Sequence, residues 1–120
     1  MESYAKTNGF DMTDYSPHPA IEYIWENAPA YAKAKGIQAQ LEAYKSSLKA
    51  ILMKKSGETS IGAQEREAYA HIDYQVHCDA IGAATEQVEL LKWRMTSAQM
   101  RVDIWRTEQA SNRQMDKLTK

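Results

Sequence analysis

Six lysines, Lys33, Lys35, Lys45, Lys49, Lys54 and Lys55, share a stretch in which Glu42 is the only acid. Ammonium groups gathered in this way do not break bonds; they neutralise phosphates and other anions. Lys45 and Lys49 are four apart and share one face of a helix. Lys35 falls close to the same side, and Lys33, Lys54 and Lys55 widen the basic surface. Tyr31 and Tyr44 lie among them, and aromatic rings on a basic surface stack on unpaired bases. No recognition-helix motif for duplex DNA accompanies them. The pattern points to single-stranded nucleic acid, with a merely solvated helix face as the alternative.

Residue types suited to catalysis are present but badly spaced. His77, Cys78 and Asp79 are consecutive, and consecutive side chains on a helix diverge. Glu65 and Glu67, two apart, fall on different faces. The single Cys78 has no second thiol with which to build a metal site or an intrachain disulfide. Neither a glycine-rich phosphate loop nor a nucleophile elbow occurs. No enzymatic activity, metal or cofactor is expected.

The lysines need a helix to hold them. From Ala30 to Lys55 the chain is rich in Ala, Lys, Leu and Gln, all strong helix formers. Ile37, Leu41, Tyr44, Leu48, Ile51 and Leu52 recur on one face. Pro29 is expected to restart the chain here, after a short helix over Pro19–Asn27 whose Trp25 tucks inward. Lys54 and Lys55 suit the negative end of the helix dipole, and Gly57 is a left-handed stop. Thr59 or Ser60 then caps a short helix over Gly62–Ala70. A long helix runs from Asp73 to about Asn112, entered either straight through or by a bend at His71–Tyr74, and residues 114–120 are expected to fray. The expected organisation is a residue 1–28 arm with a short helix, followed by a residue 29–120 helical hairpin.

The long helix carries an apolar seam. Ile81, Ala84, Val88, Leu91, Met95, Ala98, Val102 and Trp105 alternate in steps of three and four, a heptad repeat. A second row, Trp93, Ser97, Met100 and Ile104, runs beside it. A helix apolar over two stripes needs two partners. The expected fold class is all-α, an antiparallel hairpin with a long C-terminal coiled-coil helix that self-associates. Ile81, Val88, Leu91, Met95, Val102 and Trp105 are expected at the oligomer interface. Arg94, Arg101, Arg106 and Arg113 flank the seam and are expected to pair with acids of neighbouring helices.

The formal net charge is only -1, but it alternates along the chain: -4 over residues 1–30, +5 over 31–55, -6 over 56–91 and +4 over 92–120. A partner feels these local fields rather than their total. No apolar run reaches bilayer length, and residues 1–10 lack the basic start and apolar stretch of a secretory signal. With one cysteine, these features lead to the expectation of a cytoplasmic protein with no membrane partner.

The segment Leu41-Glu42-Ala43-Tyr44-Lys45-Ser46-Ser47-Leu48-Lys49-Ala50, ending at Ser56-Gly57, resembles, with one gap, the basic helix of the UvsY recombination mediators of T-even phages. Gln64–Ala70 and Trp105–Arg113 resemble small phage proteins encoded near recombination genes. The resemblance spans roughly residues 30–113. It implies a ring-forming helical protein in the bacterial host cell that binds single-stranded DNA and helps a recombinase displace the single-strand-binding protein. It nominates Lys45 and Lys49 as DNA contacts; Lys54 and Lys55 fall where the match departs and rest on charge alone. The implied partners are single-stranded DNA, a recombinase or single-strand-binding protein, and further copies of the chain. The rival expectation is a protein-binding module that blocks a host nuclease or defence complex through the acidic stretch Glu58–Glu89. A structural coiled coil with neither partner is the third.

Overall fold

The computed structural model describes residues 16–119, which form three α-helices: α1 (His18–Lys55), α2 (Ile61–Ala70) and α3 (Ile72–Thr119). No strand occurs among the described residues, and the chain is all-α. The expected arm over residues 1–15, like Lys120, lies outside the described residues.

Local chemistry explains the breaks. α1 ends at two lysines, where positive charge faces the unsatisfied carbonyls. Ser56 Oγ then donates to Met53 O at 2.7 Å and accepts from Glu58 N at 3.2 Å. Gly57 takes a left-handed φ of 76°, which an L side chain adopts only with strain. Ser60 caps α2, its Oγ accepting from Ala63 N at 3.2 Å. α2 stops at His71, whose backbone is extended. His71 N donates to Ala68 O at 3.2 Å and His71 Nδ1 accepts from Asp73 N at 3.0 Å, so one residue closes one helix with its backbone and caps the next with its imidazole. The bend at His71–Tyr74 is therefore real, and one residue wide.

Gly57→Ala is expected to lower stability by about 1 kcal/mol, because nothing within 4 Å would meet the added methyl and the cost is backbone strain alone. A urea titration followed by circular dichroism measures it; an unchanged midpoint would contradict the reading of this turn.

Two expectations are corrected. The helix does not restart at Pro29; α1 runs through it. Pro29 removes the donor for the Trp25 carbonyl four residues earlier. It sits on an exposed face, where water can satisfy that carbonyl, so the loss is tolerated. Trp25 is not tucked in but 81% exposed. In addition, α3 continues to Thr119 rather than ending near Asn112.

The chain divides into two compact units. The first combines the described part of α1 up to Ala30 with α3 from Leu90 onward. Its centre is Ala20 and Ala98, both 0% exposed, with Tyr23 at 6%; Ile24, Met95 and Val102 pack around them. Two alanines in apposition let the helices approach closely, and the tyrosine ring fills the space beside them. The second unit holds Tyr31–Glu89, with Ala34, Leu52, Ala68 and Val88 buried. There α1 and α3 run antiparallel: Gln38 Nε2 donates to Thr85 Oγ1 at 3.0 Å, and further along α1 the Leu41 carbonyl meets His77. The described start of α1 falls in one compact unit with α3 from Leu90 onward.

The seam is partly covered within the single chain. Val88 and Leu91 are 4% and 6% exposed in the single chain, and Met95 and Val102 pack against the Ala20–Tyr23–Ala98 cluster. Ile81 and Trp105 are half-buried. These positions, expected at an oligomer interface, are largely covered within one chain. A heptad stripe demands a helical partner, and α1, tethered in the same chain, is present at far higher local concentration than another subunit.

Candidate nucleic-acid interface

Within the second unit, the α2–α3 bend brings tyrosines against the basic helix. Lys49 Nζ lies 4.7 Å from the Tyr69 ring centroid and 3.5 Å from Glu65 Oε1. Lys45 Nζ lies 5.9 Å from the Tyr74 ring centroid. The two rings meet edge to face with centroids 5.2 Å apart, an arrangement that aromatic quadrupoles favour. One lysine from each of two successive α1 turns thus stands beside one tyrosine on either side of the bend. Tyr69 remains 47% exposed and Tyr44 48%.

Lys49 is the anchored member. The Tyr69 side chain first, and Glu65 second, raise its pKa above the ordinary lysine value. A raised lysine keeps its proton throughout the neutral range, so these contacts are lost only as pH climbs past its folded-state pKa. The Glu65 pair is partly exposed and screened by water, so its contribution is small. Lys45 is exposed and has no carboxylate within ion-pair distance among the described residues.

The six expected lysines do not converge on one surface. With about 100° between successive helix residues, Lys49 and Lys35 fall about 40° and 80° to one side of Lys45. Lys55 and Lys33 fall about 80° and 120° to the other side, and Lys54 lies about opposite. Lys33, Lys35, Lys54 and Lys55 are exposed, and none has a carboxylate within ion-pair distance among the described residues. Lys45 and Lys49 are therefore gathered with aromatic partners, while the other four stand apart.

Sequence reading missed Tyr69 and Tyr74. It placed aromatics by their interleaving with lysines along α1, and contacts between helices leave no such local trace. Tyr44, which it did name, packs edge-on against His77, with ring centroids 5.6 Å apart. The short His71 break could have served as the signal, because it turns Tyr69 and Tyr74 toward each other.

His77 is structural. Its Nε2 lies 2.6 Å from Leu41 O; a carbonyl only accepts, so Nε2 carries the proton and donates. Cys78 is a free thiol of intermediate burial. No group of three metal-ligating side chains occurs among the described residues, nor does a helix long and apolar enough to cross a membrane. On α3, Arg106 lies 4.0 Å from Asp103 one turn earlier in the same helix, rather than from an acid on another helix. No protein-family model, curated protein or solved structure matches the chain.

Proposed function

We propose that this chain binds single-stranded DNA as an oligomer, in the manner of a phage recombination mediator, with Lys45, Lys49, Tyr69 and Tyr74 at the contact. The observation that carries the reading is the convergence of two ammonium groups and two tyrosine rings on one surface of the second unit. Phosphates answer to the ammonium groups. Unpaired bases answer to the half-exposed ring of Tyr69. Duplex DNA offers no accessible base face, so a surface of this composition favours the single strand. Lys33, Lys35, Lys54 and Lys55 add attraction at longer range. Assistance to a recombinase against a single-strand-binding protein is the role that the resemblance of Leu41–Ala50 supports.

The test is fluorescence polarisation with a labelled single-stranded oligonucleotide and the matching duplex, each titrated at low and moderate salt. The expected result is saturable binding to the single strand, weakening as salt rises and exceeding binding to the duplex. Absence of single-strand binding at low salt would overturn the proposal.

A specific observation favours the rival. Glu67, Asp79, Glu86 and Glu89 are exposed and have no basic side chain within ion-pair distance among the described residues. An acidic surface of this kind suits a protein that normally handles nucleic acid, such as a host nuclease. Protection of DNA from a nuclease, without retardation of that DNA by the chain itself, would support the rival.

A further inference from the structure

One face of α3 within the first unit is apolar and uncovered. Leu90 is 41% exposed, Trp93 61%, Met100 57%, Ile104 58%, Met115 60% and Leu118 73%. At about 100° per residue these six fall within about 80° of arc, with Ser97, Glu108 and Ser111 completing the row. The spacing from Leu90 onward is three and four in alternation up to Ile104, then four and three in alternation to Leu118. Read outward from Ile104, the row is therefore symmetric. Met100 and Glu108 lie four away on either side, Ser97 and Ser111 seven, Trp93 and Met115 eleven, and Leu90 and Leu118 fourteen.

We infer that this face docks a second copy of the same chain, antiparallel, with the two-fold axis passing beside Ile104. Antiparallel pairing about that point sets Leu90 against Leu118, Trp93 against Met115 and Ser97 against Ser111 of the other copy. A two-fold interface needs such self-complementarity. The area fits a homodimer as well. Six large apolar side chains at these exposures present on the order of 600 Å², the upper end of what a monomer's largest patch ordinarily shows. With its polar rim, that approaches the roughly 800 Å² per partner of a stable interface.

A further feature agrees. A shallow recess beside Ile104 is lined by Arg101, Ile104, Trp105 and Glu108. This is the i, i+3, i+4, i+7 set that receives one side chain from a facing helix in knobs-into-holes packing.

This dimer supplies the oligomer that the DNA-binding reading assumes. It is tested without DNA, so that the two can fail separately. Sedimentation equilibrium on the full chain is compared with that on a Met100→Lys/Ile104→Lys variant. The variant is expected to sediment at half the parent's mass with unchanged helix content by circular dichroism, since both sites are exposed. Equal masses for parent and variant would overturn the inference. Orientation is read by disulfide trapping in a Cys78→Ser background. Ile104→Cys is expected to cross-link to itself, and Leu90→Cys to cross-link to Leu118→Cys on mixing. Self-linking of Leu90→Cys in place of that pair would show a parallel arrangement and overturn the antiparallel dimer.

Discussion

Tyr23→Ala is expected to destabilise the first unit by about 3–4 kcal/mol and to leave the second nearly untouched. Tyr23 is 6% exposed and packs in one cluster with Ala20 and Ala98, both fully buried. Alanines cannot move in to refill the space of a lost ring, so truncation leaves a cavity as well as forfeiting transfer energy. Among the described residues of the unit, Leu91 is also buried, and Ile24, Met95 and Val102 pack partly buried against Tyr23 and the two alanines. A loss of this size is a large fraction of the total stability of an ordinary domain. Hydrogen exchange locates it. Amides of residues 18–30 and 90–110 should lose protection, while those around Leu52 and Ala68 keep theirs, because the units have separate buried clusters. A loss below about 1 kcal/mol would mean that Tyr23 does not hold the unit together.

Lys45→Ala/Lys49→Ala is expected to weaken single-stranded DNA binding by about tenfold at low salt and to flatten its salt dependence. Two phosphate contacts account for about 1.4 in the slope of log affinity against log salt for a single strand. Tyr69→Ala should cost about 1–3 kcal/mol of binding if a base stacks on that ring, with the slope left unchanged. The two variants therefore separate charge from stacking. Lys54→Ala, about 180° around α1 from Lys45, is the comparison and should have a small effect. Removing Lys49 leaves Glu65 without its partner, yet that pair is partly exposed and screened by water, so the fold survives. Polarisation titrations at several salt concentrations measure all three. Undiminished affinity of the double variant would remove Lys45 and Lys49 from the interface.

What was legible in the sequence is local, and what was not is relational. Gly57 and Ser60 were readable because a left-handed stop and a helix cap are decided within a few residues. Pro29 was misjudged because its cost depends on whether the Trp25 carbonyl has access to water, which depends on packing. Along the seam from Ile81 to Trp105, Val88, Leu91 and Ala98 are buried in the single chain. A heptad does not say whether its partner helix belongs to the same chain, and here Ala20, Tyr23 and Ile24 pack with Met95, Ala98 and Val102. The second row, Trp93 to Ile104, was seen as needing another partner, and it is the row left open. The lysines were found individually. Their sorting into a gathered pair and four outliers depends on where α2 and α3 place Tyr69 and Tyr74.

The account rests on two surfaces of one chain, an apolar row for a second copy and a lysine–tyrosine cluster for a single strand. A light-scattering mass measurement, made with and without an oligonucleotide, tests both at once. The predicted result is a particle of about twice the 13.7 kDa chain mass alone, becoming heavier when the oligonucleotide is added. A particle of one chain mass that takes up no oligonucleotide would contradict it.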